Sequence, residues 1–114
     1  MKLYRPVGEK EMDLIRKSDF TKFPPRLAWQ PIFYPVLNEK YACEIAEKWN
    51  TRDADNGNVG YVTSFEIPDD YYNTFTVNCV GMPHHVELWV PSDKLNEFND
   101  KIVGKIAIEK VFRG

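Results

Sequence analysis

The sequence has 114 residues, of which 43% are hydrophobic, 14% aromatic and 28% charged. This length suits one domain with one hydrophobic core, and the hydrophobic content is too high for a chain that is disordered throughout. The formal net charge is -2, and the 15 basic residues form no run or helical stripe, so a nucleic-acid-binding surface is not indicated. No stretch approaches the ~20 apolar residues of a membrane span, and no signal segment opens the sequence, so we expect a cytoplasmic protein.

The first third of the sequence predicts a strand, a helix and an ordered loop. Residues 3–7 are mostly apolar, contain a proline and precede a glycine, which is typical of an opening or edge strand. Residues 9–17 place Met12 and Ile15 three apart, with acids in the first turn and bases in the last, as a helix favours. Residues 20–30 contain two adjacent prolines and no steady period, so we expect a loop held by Phe23 and Trp29.

The clearest helix follows residues 32–37, an apolar run that Pro35 interrupts. Asn38 has the side chain of a helix N-cap. After it, apolar residues recur at spacings of one, three and four, which predicts one broad stripe facing the core. The stripe consists of Tyr41, Ala42, Ile45, Ala46 and Trp49, with Glu44 among the charged residues assigned to the other faces.

The second half of the sequence predicts mostly strands. A polar connection at residues 51–58, expected to be the most exposed segment, precedes alternating strands at residues 60–67, 74–80 and 86–90. Ser92 is expected to cap a short helix, and residues 105–112 form the last strand. The order of elements predicts one α+β domain over residues 1–114, with a mainly antiparallel or mixed sheet core and about three helices.

The strand at residues 86–90 carries the first candidate site. Side chains alternate along a strand, so its apolar residues enter the core while His85, Glu87 and Trp89 share the opposite face. An imidazole, a carboxylate and an indole on one surface can bind a polar ring or transfer protons, which makes His85 and Glu87 candidate catalytic residues and Trp89 a candidate ligand contact. The same row is also typical of the half-exposed face of an edge strand, and spacing alone favours that interpretation.

No metal site is predicted. His84 and His85 are adjacent, and adjacent side chains on a strand point to opposite faces, so they cannot both reach one ion without a bend. No third ligand stands out. Cys43 and Cys79 lie in apolar periodic segments without CxxC spacing, so both are expected to be small buried hydrophobes rather than disulfide partners or zinc ligands.

Three residues elsewhere are candidates for ligand binding. Arg5 lies in an otherwise apolar strand, where its permanent charge requires a carboxylate, a phosphate or water, so it can grip a diphosphate or pair with an acid such as Glu9. Arg26 follows the two adjacent prolines and can serve as a second contact for an anion. The alternative is that its side chain is exposed to solvent and binds nothing. Tyr34 offers a hydroxyl or a stacking face, unless it is buried with its hydroxyl satisfied. Walker, GxGxxG, GxSxG and HExxH motifs are all missing, which argues against the common nucleotide folds and triad hydrolases.

Three long segments carry a resemblance to a known family, and they read LYRPVGEKEMDLI, FPPRLAWQPIFYPVLNEKYACEIAEKWN and HVELWVPSDKLNEFNDKIVGKIAIEKVF. Together they resemble a family of small bacterial proteins named for ADP-ribosylation and crystallin J, and the resemblance covers nearly the whole chain. The ADP-ribosylglycohydrolases behind the crystallin name are much larger all-helical enzymes with metal-binding carboxylates. This sequence has neither their length nor those motifs.

The order of elements is similar instead to a reduced ADP-ribosyltransferase fold, and that resemblance implies NAD as co-substrate. Arg5 in LYRP would hold the diphosphate, Tyr34 in FYPVLN would stack on the nicotinamide ring, and Glu87 in VELW would stabilise an oxocarbenium-like transition state. His85 would orient Glu87 or act as a base, and all four residues are expected to line one concave site. The Ser-Thr-Ser and paired-glutamate motifs of that fold are missing, so the alternative is a non-catalytic ligand-binding or protein-interaction domain.

Overall fold

The computed structural model describes residues 1–114 and arranges them as four α-helices and two antiparallel sheets. The elements in chain order are β1 (Lys2–Val7), α1 (Glu9–Lys17), β2 (Ile32–Phe33), α2 (Glu39–Lys48), β3 (Val59–Glu66), α3 (Asp69–Tyr72), β4 (Thr76–Cys79), β5 (Val86–Pro91), α4 (Leu95–Asp100) and β6 (Val103–Arg113). Short 3₁₀ helices cover Asn50–Arg52, Ala54–Asn56 and Ser92–Lys94. The predicted α+β class is confirmed, with one more α-helix than expected. None of the helices has the length and apolar character needed to cross a bilayer.

A single residue joins the two sheets, whose strand orders are β1-β3-β6 and β2-β5-β4. Val36 is paired with Tyr4 of β1 on one side and with Glu87 of β5 on the other. Its amide donates to the Tyr4 carbonyl at 2.7 Å, and the Tyr4 amide donates to its carbonyl at 2.9 Å. Residues opposite each other in a ladder point the same way, so Tyr4, Val36 and Glu87 share one face. Arg5, the next residue along β1, points to the other face.

The core has one part on each face of β1. The larger part contains Leu3 and Val7 of β1, Met12 and Ile15 of α1, and a cluster of phenylalanines. The phenylalanines in edge-on or tilted contact are Phe23, Phe33, Phe65 and Phe98. The smaller part packs α2 against the sheets through Val36, Tyr41, Ala42, Ala46 and Val62. The helix approaches so closely that a Cβ at Gly60 would lie 2.7 Å from the Ala46 carbonyl oxygen.

The local predictions agree with the structure for the first two helices and in part for the helix after Ser92. Residues 9–17 form α1 with the predicted bounds, and the Tyr41 amide donates to the Asn38 side-chain oxygen at 2.8 Å, which confirms the N-cap. The predicted helix after Ser92 is divided: a 3₁₀ turn begins there without a side-chain cap, and α4 begins only at Leu95.

The predicted packing of three side chains is wrong, namely Trp29 in the 20–30 loop, Trp49 on the α2 stripe and Cys79 on its strand. Trp29 and Trp49 are 76% and 73% exposed. The apolar stripe of α2 stops short of Trp49 because the helix ends at Lys48. Cys79 is exposed because β4 is an edge strand with little covering it, whereas Cys43 is half-buried and burial raises the pKa of its thiol.

Replacing the buried aromatic residue of the 20–30 loop should be far more damaging than replacing the exposed one. Phe23→Ala should lower the free energy of unfolding by about 3–5 kcal/mol, because it leaves a cavity among packed rings. Trp29→Ala in the same loop should change it by less than about 0.5 kcal/mol. Urea unfolding measures both, and equal losses would show that Trp29 also holds the loop.

Candidate functional site

The predicted site residues fall into two neighbouring groups. Arg5, Arg26 and Tyr34 line one cleft. His85, Glu87 and Trp89 belong instead to a polar cluster beside α2, and none of them lines that cleft. The expectation that Arg5, Tyr34, His85 and Glu87 line one concave site is therefore not met, because β1 and β5 present Arg5 and Glu87 on opposite faces.

Arg5 is neutralised within the chain. Its residue is only 6% exposed, and its guanidinium donates to both carboxylate oxygens of Glu11 at 2.7 and 3.1 Å. The guanidinium carbon also lies 4.7 Å from the centre of the Phe33 ring. The expected acid partner, Glu9, accepts instead from the Tyr61 hydroxyl at 2.7 Å. A two-point ion pair with α1 therefore explains why a permanent charge is tolerated in this strand.

Arg26 is the cation in the cleft without such a partner. Its side chain is half-buried, its Nε donates to the Ile32 carbonyl at 3.2 Å, and it forms no salt bridge with any carboxylate of the chain. Burial lowers the pKa of Arg26, and the nearby Arg5 lowers it further. The guanidinium carbon lies 5.7 Å from the centre of the Tyr34 ring, which is itself partly exposed. Arg26 therefore retains donors that an anionic ligand can use.

Arg26 lines three depressions of the surface, and two of them meet around it and share several lining residues. The cleft with Arg5 and Tyr34 has a volume of about 360 Å³, and the adjoining depression has about 480 Å³. The residues that line both are Glu11, Arg26, Gln30 and Asn56. Part of the 51–58 connection, predicted to be the most exposed segment, thus forms a wall of the cleft. The lining carries as many carboxylates (Glu11, Asp53, Asp55) as cations (Arg5, Lys10, Arg26).

In the second group, both carboxylate oxygens of Glu87 accept hydrogen bonds from neighbouring side chains. The Tyr41 hydroxyl donates to one oxygen at 2.8 Å, and the Trp89 indole donates to the other at 3.0 Å. Burial raises the pKa of Tyr41, and the hydrogen bond to Glu87 raises it further, so the phenol remains a donor at neutral pH. Glu87 is therefore held in one orientation on the α2 face of the sheet.

Two imidazoles and a second carboxylate lie beside Tyr41 and Glu87. The Nε2 atoms of His84 and His85 lie 2.8 and 2.9 Å from the two carboxylate oxygens of Glu44. The sequence-based premise that adjacent histidines face opposite ways is wrong here, because His84 lies in the turn before β5 and strand alternation does not apply to it. Hydrogen bonds from His85 and then His84 lower the pKa of Glu44.

Asn38 brings this cluster together. Its side-chain oxygen caps α2, while its side-chain nitrogen donates to the His84 carbonyl at 2.6 Å. Helix α2 then places Tyr41 and Glu44, three residues apart, on one face toward the histidines. The Tyr41 ring stacks on His85 with 4.4 Å between ring centres and 20° between planes. Sequence analysis missed Tyr41 and Glu44 as site residues, although their spacing directly after a helix cap was the available signal.

The chain matches no protein-family model, no curated protein and no solved structure. Function is therefore inferred from the two groups of side chains.

Removing the partner of Arg5 should destabilise the fold. Glu11→Gln takes away the charge that compensates a buried guanidinium, so we expect the free energy of unfolding to fall by about 2–3 kcal/mol. The matched control on α1 is Asp13→Asn, because Asp13 forms only an exposed pair with Arg16 at 3.6 Å. Asp13→Asn should lower the free energy of unfolding, measured with urea, by less than about 0.5 kcal/mol. Equal effects of the two variants would mean that the Arg5–Glu11 pair is no more important than a surface contact.

Proposed function

We propose that this chain binds a nucleotide-type ligand through a phosphate or diphosphate group, and that NAD, which the family resemblance implies, is such a ligand. The observation that carries the proposal is the half-buried guanidinium of Arg26, which has no carboxylate partner and lies where two depressions meet. A cytoplasmic location and an ADP-ribosyltransferase-like fold, both expected from the sequence, belong to the same proposal.

The chemistry of Arg26 suits a phosphate. A guanidinium presents planar, paired donors that match phosphate oxygens, and a partly desolvated cation is stabilised by an anion that enters beside it. In the sequence-based assignment Arg5 held the diphosphate. We now assign that contact to Arg26, because the donors of Arg5 are engaged by Glu11.

The shape around Arg26 suits a ligand with two ends. A diphosphate at Arg26 would direct one half of a dinucleotide into each depression, and both volumes fall in the range of small-molecule sites. The exposed part of the Tyr34 ring offers a stacking surface for a base or for nicotinamide. Because carboxylates and cations balance in the lining, attraction depends on the local contact with Arg26 rather than on a broad positive field.

Binding without turnover is the form of this proposal that the geometry favours. Glu87, the predicted catalytic carboxylate, lies outside the cleft and already accepts two hydrogen bonds. ADP-ribosyl transfer is the second candidate. It is supported by Tyr41, which bonds to Glu87 and stacks on His85, so that the two predicted catalytic side chains form one ordered group.

Calorimetric titration of the full chain with NAD, ADP-ribose and nicotinamide tests the binding proposal. NAD and ADP-ribose should bind, and nicotinamide alone should bind more weakly because it lacks the diphosphate. Arg26→Gln should weaken NAD binding by about tenfold or more, since it removes a charge-assisted contact. Arg113→Gln, which changes an exposed arginine on β6 outside the cleft, should leave the affinity unchanged.

The same samples distinguish binding from catalysis. Binding without nicotinamide release supports the binding module, whereas release that Glu87→Gln abolishes would establish ADP-ribosyl transfer. The proposal is overturned if neither NAD nor ADP-ribose binds at about millimolar concentration. The free energy of binding would then be smaller in magnitude than ~4 kcal/mol.

A further inference from the structure

We infer that Glu44, His84 and His85 form a binding site for a divalent transition-metal ion of the zinc type. The inference does not depend on the nucleotide proposal, because none of these residues lines the Arg26 cleft. Each residue offers one ligand atom, and the three atoms lie within 4.8 Å of one another.

The ligand set and its spacing suit zinc. Two imidazole nitrogens and a carboxylate oxygen are ligands that Zn²⁺ and its first-row neighbours prefer, whereas Mg²⁺ and Ca²⁺ prefer oxygen alone. In a tetrahedral site with bonds of about 2.0–2.1 Å, neighbouring ligand atoms are about 3.3 Å apart. The two imidazole nitrogens lie 2.8 and 2.9 Å from different oxygens of Glu44. A small widening of the cluster would therefore admit an ion between the two nitrogens and the carboxylate. The three side chains are 23 to 27% exposed, which leaves the outer coordination position open to water.

The ligands are positioned by contacts that do not involve a metal. Stacking on the buried Tyr41 ring fixes the plane of His85, and the bond from Asn38 to the His84 carbonyl fixes the turn. Glu44 comes from the same helix that Asn38 caps. Ordered outer contacts of this kind are typical of metal sites, because they reduce the rearrangement that binding requires.

One contact must change when the ion binds. The Met82 amide donates to Nδ1 of His85 at 3.2 Å, which places the ring proton on Nε2, facing Glu44. For Nε2 to bind an ion, its proton must leave, and in the neutral ring that proton moves to Nδ1. Nδ1 can then no longer accept from the Met82 amide, which must turn away. The turn at residues 81–83 is exposed, which allows this movement. The Met82 amide therefore reports on metal binding at His85.

The composition of the chain simplifies the test. The sequence contains only these two histidines, so any imidazole-dependent binding reports on this cluster. The exposed thiol of Cys79 is the main competing ligand. It contacts the Met82 carbonyl at 3.4 Å but none of the three proposed ligands, and Cys79→Ser removes the sulfur while retaining a hydroxyl donor. Glu47→Gln is the matched control for Glu44→Gln, because Glu47 lies on the same helix and forms no salt bridge.

Calorimetric titration of the full chain with Zn²⁺ should show one ion per chain, no binding of Mg²⁺ or Ca²⁺, and no effect of Cys79→Ser. Glu44→Gln, His84→Gln and His85→Gln should each weaken Zn²⁺ binding by about tenfold or more, since even residues outside the ligand set can change affinity that much. Glu47→Gln should bind like the original chain. Far-UV circular dichroism establishes that each variant is folded.

Nuclear magnetic resonance of the unsubstituted chain gives an independent test in case a variant does not fold. Zn²⁺ should shift the ring nitrogens of both histidines and the Met82 amide. The inference is overturned if the chain does not bind Zn²⁺, if folded Glu44→Gln and His84→Gln bind it as well as the original chain, or if Cys79→Ser abolishes binding. In those cases the cluster has only a structural role, in which Glu44 links α2 to the turn before β5 through hydrogen bonds to the two histidines.

Discussion

The pairing of Val36 with both β1 and β5 is the constraint on which the location of every candidate site residue depends. Strand β2 ends at Phe33, and Pro35, which lacks an amide donor, separates it from Val36. Val36 alone then bridges the two sheets. Because successive side chains alternate, this register directs Glu87 toward α2 and Arg5 toward α1. The molecule therefore has two polar sites of different chemistry, one with an uncompensated cation and one with carboxylates and imidazoles.

Much of the fold could be predicted because its signals are local. The bounds of α1 follow from charge at its two ends, and the start of α2 follows from the Asn38 cap. The failures concern burial, which depends on what other elements cover. Trp49 continues the apolar spacing of α2 but lies beyond its last turn, and Cys79 has the alternation of a buried strand but lies on the edge strand β4.

Less of the candidate sites could be predicted, since they depend on contacts between distant parts of the chain. Strand alternation correctly places His85 and Glu87 beside the same partner, Tyr41. His85 still pairs with Val80 just before β5, whereas His84 lies in the turn, where alternation does not apply. No pattern indicates that Glu44 lies opposite both histidines. The choice of Glu11 rather than Glu9 as the partner of Arg5 likewise depends on how α1 docks, because Tyr61 of β3 engages Glu9.

The most direct test of this account is the nuclear Overhauser effect between the α-protons of Val36 and Glu87. The amide of Leu37 donates to Val86 and the amide of Leu88 donates to Pro35, so Val36 and Glu87 form a non-hydrogen-bonded antiparallel pair. Cα atoms in such pairs are about 4.5 Å apart, and the account predicts a strong cross-peak between these two α-protons. A strong cross-peak from Val36 to Val86 or Leu88 instead would contradict it, because a one-residue slip would turn Glu87 to the same face as Arg5.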